Sequence, residues 1–296
     1  MELKNVYAWT HICIPNARKE LNMSLTINTN LSSMIVQSNL AKSTNQLNNA
    51  IERMTTGYKI NHASDNAAGY SIAKGWEAQL SSLDVAAENA AMGSDMLSTL
   101  EDNCTLIQSH LQRIRDLTEQ AANGTYGADS RTAIQSEIQA RMDEIDRIAA
   151  NCEYNGISLM SGTGANKSIQ VGTKATNGSI TLEGSLFDGI TSAGLGIVAA
   201  DCAGTNASGQ LATIDTAIKN LSNRVTKIGA AQNRIESAIE SIGVQSENIT
   251  SSLSTLRDAD VATESSNYIK AQILQQASAT LLATANQSPS IALNLL

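Results

Sequence analysis

Aromatic residues are nearly missing from this chain of 296, at 3% of the whole with a single phenylalanine, Phe187. Large globular cores, and the platforms on which bases or sugars stack, normally draw on aromatic side chains. Thin helix-on-helix seams of Leu, Ile and Ala therefore fit better. Proline is scarcer still: Pro15 and Pro289 are the only two, so no proline between them breaks a helix. The histidines are His11, His62 and His110, and none has a second ligand at metal-binding spacing. The cysteines, Cys13, Cys104, Cys152 and Cys202, form neither a CxxC pair nor a disulfide framework. Cys104 falls on a helical apolar stripe and reads as a small buried hydrophobe. The glycines around Gly57 and Gly69 lack the Lys-Ser/Thr of a phosphate loop. No run approaches about 18 apolar residues, which argues against a membrane span. A net charge of −8 argues against nucleic acid and anionic membrane surfaces as partners. No catalytic, cofactor-binding or metal-binding residues emerge, and an enzyme reading has nothing to stand on.

What the chain does have is helical periodicity. Apolar residues recur at alternating steps of three and four through Leu211, Ile214, Ile218, Leu221, Val225, Ile228, Gln232, Ile235, Ile239, Ile242, Ser246, Ile249, Leu253 and Leu256. Only Gln232 and Ser246 break that stripe. A 3.5-residue repeat held so long means a helix of roughly 70 Å whose narrow seam other helices must cover.

The N-terminal half repeats the pattern. Leu40, Thr44, Leu47, Ile51, Met54 and Tyr58 mark one helix. The Asn-, Asp- and Gly-bearing stretch between Gly57 and Gly69 reads as a loop. Helix resumes near Tyr70, carries Leu97, Leu100, Cys104, Ile107, Leu111 and Ile114, and ends at Asn123–Gly124, a pair suited to the left-handed conformation. Asp129 or Ser130 can cap a third helix with Ile134, Ile138, Met142, Ile145 and Ile148 inward. The acids Asp143, Glu144 and Asp146 beside Arg141 and Arg147 read as a solvated, salt-bridged face. From Asn155 to Gln210 the period is lost, and Ser168–Val171 and Ser179–Leu182 read as strands of a hairpin. A last helix bears Ile269, Ile273, Leu274, Leu281 and Leu282 and is closed by Pro289.

The fold class expected is mainly α: an elongated helical hairpin or bundle with coiled-coil arms and a small β-hairpin region mid-chain. Three parts are expected. Residues 1–22, which hold Trp9 and Pro15, read as an upstream extension ahead of Met23. Residues 23–66 with 258–296 form a terminal coiled-coil domain, and 67–257 a helical rod with its β and loop segment at about 157–210.

The two ends of the chain resemble bacterial flagellin. The residues that carry this are Ile27–Asn30 (INTN), Ala50–Met54 (AIERM), Thr56–Gly57, Lys59–Asn61 (KIN) and Asp65–Gly69 (DNAAG). They continue through Leu111–Leu117 (LQRIRDL), Ala122–Thr125 (ANGT), Glu144–Arg147 (EIDR), Ala271–Gln276 (AQILQQ), Ala285–Gln287 (ANQ), Pro289 and Leu295–Leu296. Gly75–Trp76 departs from the family's usual Arg-Phe, and the variable middle is short. The resemblance implies a filament subunit that is secreted and polymerises with itself in the extracellular flagellum, and so a role in motility. The hook–filament junction protein, of the same terminal design, is the alternative. It also implies as partners the flagellar export apparatus, an export chaperone and an assembly factor on the C-terminal arm, and the filament cap and junction proteins. Apolar residues of the arms, Ile27, Leu40, Leu47, Ile51, Met54, Ile269, Ile273, Leu281 and Leu282, are the expected polymerisation surface. Finally, the resemblance implies Toll-like receptor 5 as a partner, through Arg113, Leu117 and Glu137 with Gln112 and Asp116 beside them. Arg113 and Leu117, four apart, are expected to be exposed together on one helical face.

Overall fold

A computed structural model describes residues 29–293 other than 161–163, 175, 176 and 205. The segment Met1–Asn22 and Ile27 lie outside the described residues. The chain divides into two compact units, residues 29–61 with 259–293, and residues 62–258.

The first unit is two helices, α1 (Leu31–Thr56) and α6 (Val261–Leu293). Asn30 caps α1, its side-chain oxygen accepting from the Ser33 amide at 3.0 Å. The helix stops at Gly57, whose φ of 74° a residue with Cβ enters only with strain. The helices run antiparallel, as the pairings Asn30–Ala285, Thr44–Gln275 and Arg53–Glu264 show. The sequence places the close of α6 at Pro289, but the helix continues to Leu293. A proline inside a helix removes the bond that its own amide would have made and crowds the carbonyl four residues back, and a donor on a neighbouring helix can take over that carbonyl.

The second unit is built on α2 (Ala67–Ala122) and α5 (Ala207–Arg257), each roughly 75–85 Å long. Helix α3 (Ala128–Asn151) lies along α2. The core follows the apolar stripes: Leu97, Leu100, Cys104, Ile107, Leu111 and Ile114 from α2 meet Ile138 and Ile145 from α3 and Ile214, Leu221, Ile228 and Ile235 from α5. Short elements close one side of it: hairpin β1–β2 (Glu153–Tyr154, Ile157–Ser158), hairpin β3–β4 (Lys167–Gln170, Ser179–Leu182), a 3-10 turn at Gly184–Leu186 and helix α4 (Ala199–Ala203). Phe187, Leu182 and Leu186 are buried there.

Several boundaries differ from those read in the sequence. Helix α2 starts at Ala67, with Asn66 capping the Gly69 amide at 3.0 Å, so Gly69 lies inside the helix. Gly75 sits within the unbroken α2. The end of α2 at Asn123 is extended (φ −72°, ψ 122°) rather than left-handed, because the Asn123 side chain accepts from the Thr125 amide and turns the chain itself. Helix α3 begins at Ala128 with Gly127 as its cap residue, which leaves Asp129 in the first turn, where its charge suits the helix dipole. The hairpin β1–β2 has no counterpart in the sequence reading. Its two-residue turn, Asn155–Gly156, has φ of 49° and 74°, the conformation that Asn-Gly favours between twisted strands. The β3–β4 connection is longer, running over 171–178, and the Val171 amide donates to the Gly178 carbonyl at 2.8 Å.

Candidate functional site

Two surfaces carry the residues singled out in the sequence. The first is the α1–α6 pair. Its most buried positions are small or polar: Ser43 and Ala50 from α1, Glu264, Ala271 and Ser278 from α6. Each set recurs at seven-residue steps, as a coiled-coil seam does. Small residues there let the helices lie close, and they leave the larger side chains outside. Ile51 is 44% exposed, Ile269 54%, Ile273 58% and Leu281 57%, while Met54 is also exposed and Leu40, Leu47 and Leu282 are half-buried. Leu31, Met34, Ile35 and Leu274 add to this outward apolar surface. Scattered exposed apolar residues are ordinary, but here many of them fall on one pair of helices. Each such side chain gains on the order of 1–2 kcal/mol when a partner covers it.

Polar contacts hold the pair together. Arg53 reaches Glu264 at 3.3 Å, Gln275 reaches Thr44 at 3.1 Å, and Ser33 donates to Asn286 at 2.8 Å. At the end of α1 the Ala259 amide donates to the Gly57 carbonyl at 2.8 Å.

The second surface lies on α2 and α3 of the other unit. Arg113 spans the two helices, its Nε and Nη2 lying 3.0 and 2.9 Å from the same Glu137 oxygen. Arg141 approaches that oxygen at 3.9 Å. Gln112 and Asp116 are exposed on either side. Leu117 is not exposed, contrary to the sequence reading, and only 2% of its surface remains accessible. It follows Ile114 by three residues and precedes Ala121 by four, so the buried stripe of α2 is wide enough to include it. The patch is therefore polar and charged, with Leu117 as its underside.

Other assignments resolve locally. Glu144 and Arg147 form the expected exposed pair, at 2.6 Å, and the arginine holds the Glu144 carboxyl below its usual range. Asp146 departs from that face. It accepts from the Ser192 amide and hydroxyl at 2.7 and 2.8 Å and pins the loop ahead of α4 to α3. Arg224, invisible to pattern reading because it interrupts an apolar helix face, is buried and donates to the Ser185 and Asp188 carbonyls. Burial lowers its pKa. Cys104, Cys152 and Cys202 are free and buried, and burial pushes the Cys104 and Cys152 thiols up to about 11. Among the described residues no group of three or more His, Cys, Asp or Glu could hold a metal ion. No helix among them is long and apolar enough to cross a membrane.

Residues 27–165 match the family model for the bacterial flagellin N-terminal helical region, and residues 211–296 match that for the C-terminal helical region. The chain belongs to the flagellin family. Among curated relatives it is 38% identical to Flagellin 1 of Proteus mirabilis, over 93% of this chain and 100% of that one. It is 37% identical to a flagellin of Xenorhabdus nematophila, over the same shares of the two chains. A solved structure described as a putative flagellar hook-associated protein from Vibrio parahaemolyticus shares the fold, with a TM-score of 0.55 at 16% identity, over 66% of this chain and 100% of that one. As a flagellin, the chain is a structural protein that polymerises with itself into the extracellular flagellar filament. The two matched regions hold both surfaces described above, α1 and α6 together with the α2–α3 patch.

Proposed function

We propose that this flagellin is the filament subunit whose α1–α6 pair forms the inner tube, with the outward apolar side chains of the pair buried between subunits. The observation that carries this is the inversion in that pair: small or polar residues fill its own seam and large apolar residues face outward. A surface of this kind binds a different surface on the next copy, and such heterologous contacts continue into a helical polymer rather than closing on themselves. The same exposed face makes the unassembled chain prone to aggregate. An export chaperone and an assembly factor on the α6 arm would cover it, and the export apparatus and the filament cap and junction proteins are the remaining partners. The test is expression in a flagellin-deficient bacterium. Filaments and swimming support the reading, and a chain exported without filaments contradicts it.

The α2–α3 patch supports a further role as a ligand of Toll-like receptor 5. Its contacts would come from Arg113, Glu137, Gln112 and Asp116, and Leu117 would act from beneath by fixing the position of Arg113 one turn away. Arginine beside well-packed apolar support is a common centre of binding energy. Binding of the monomer to the receptor ectodomain, compared with the Arg113→Ala variant, tests this role.

A further inference from the structure

In an α-helix the carbonyl of Ala285 accepts from the amide of residue 289. That residue is Pro289, which has no amide hydrogen, yet α6 continues past it to Leu293. A helical carbonyl left without its partner costs free energy unless something else donates to it. The Asn30 side chain does so: its Nδ2 lies 2.7 Å from the Ala285 oxygen. The other end of the same amide, Oδ1, accepts from the Ser33 amide and caps α1. One asparagine thus answers two defects of opposite sign, an orphan donor at the start of α1 and an orphan acceptor inside α6.

We propose that Asn30 and Pro289 together set the register in which the terminal arms pair, and that Asn30 is a positioning residue for assembly. Toward the Asn30 end the seam itself selects register poorly. Glu264 answers Arg53 at the other end, but Ser43, Ala50, Ala271 and Ser278 are small, recur at seven-residue steps and could meet one another again after a slip by one repeat. Of the carbonyls near the end of α6, only that of Ala285 has lost its helical donor to proline, and only one alignment places Asn30 against it. A polar group that must find its partner is a known means of fixing coiled-coil register. Ser33 to Asn286, one step further along, belongs to the same alignment. This inference rests on the filament-subunit reading for its functional consequence, but not for its chemistry.

The experiment is a double-mutant cycle in the full chain with Asn30→Ser and Pro289→Ala. Serine still caps a helix but is too short to reach the second helix. Alanine at 289 restores the amide that satisfies Ala285 and makes the asparagine donor dispensable. In the parent background Asn30→Ser should raise the critical concentration for seeded filament growth by about five-fold, the equivalent of one net hydrogen bond. In the Pro289→Ala background the same change should have an effect of less than about two-fold. Equal effects in both backgrounds, or none with Pro289 present, overturn the proposal. Should the parent chain not elongate seeds at all, the filament reading fails. The cycle is then read in the monomer from the Asn30 side-chain amide by nitrogen-15 NMR. Slow solvent exchange in the parent that becomes fast in Pro289→Ala supports the proposal, and fast exchange in both sinks it.

Discussion

Ile169 of β3 rests against the bare Cα of Gly93 in α2. A Cβ built at residue 93 would crowd the Ile169 Cδ1 and lie 3.3 Å from both its Cγ1 and Cγ2. The absence of a side chain in mid-helix is what lets the hairpin dock on α2. A helical glycine normally costs about 1 kcal/mol relative to alanine. Here overpacking against a β-branched side chain, at about 1–3 kcal/mol, outweighs that gain. Gly93→Ala should therefore lower stability by about 1 kcal/mol in urea unfolding. At Gly75 in the same helix a methyl group would meet nothing within 4 Å, so Gly75→Ala should raise stability by a similar ~1 kcal/mol. Equal effects at the two sites would contradict this account of the docking.

Arg113 and Glu137 form an ion pair whose side chains remain 49% and 39% exposed. Pairs so open to solvent contribute at most about 1 kcal/mol to stability. Arg113→Ala should leave the unfolding midpoint almost unchanged, while weakening receptor binding by ~2 kcal/mol if the patch is a contact centre. Leu117→Ala should behave in the opposite order, costing about 2–4 kcal/mol of stability because it empties a buried site. Thermal unfolding and ectodomain binding measured on both variants separate the two roles.

The thiols of Cys104 and Cys152 are raised to about 11 by burial, which disfavours the thiolate. Between about pH 9 and 11 the folded state thus holds protons that the unfolded state has released. Stability from this source is fully present below about pH 9 and is lost as pH rises through about 11, by on the order of 2–3 kcal/mol per thiol. The pH dependence of unfolding in that window should be shallower in a Cys104→Ala, Cys152→Ala variant than in the parent. A neutral disulfide reagent should label these two residues in the native protein only at the rate of unfolding. Rapid labelling of the folded chain at about pH 8 would show that they are accessible.

The long elements are legible in the sequence because their signal is long. The apolar stripe from Leu211 to Leu256 identifies α5 wherever its neighbours lie, and Ser179–Leu182 shows the alternation of β4. The local features that sequence reading misses depend on a single partner elsewhere in the fold. Leu117 reads as surface-exposed beside Arg113 because the sequence does not show how wide a stripe α2 buries. Asp146 reads as one more exposed acid because the loop that brings Ser192 to it lies 46 positions away. Asn155–Gly156 carries a hairpin signal, but strands of two residues each are too short to show alternation on either side of it. Pro289 reads as a helix end because the residue that compensates for it, Asn30, lies at the far end of the chain, 255 positions from Ala285.

The outward face of the α1–α6 pair gives the most direct test of assembly. Ile269 and Ile273 are 54% and 58% exposed in the single chain, so replacing both with aspartate should scarcely disturb its fold. In a filament that buries this face, carboxylates without partners would cost roughly several kcal/mol each. The deciding measurement is elongation of filament seeds by the purified Ile269→Asp, Ile273→Asp chain, followed by electron microscopy against the parent. The account predicts growth by the parent and none by the variant, with matching circular dichroism for the two chains. Elongation of the variant at the parental rate would contradict it.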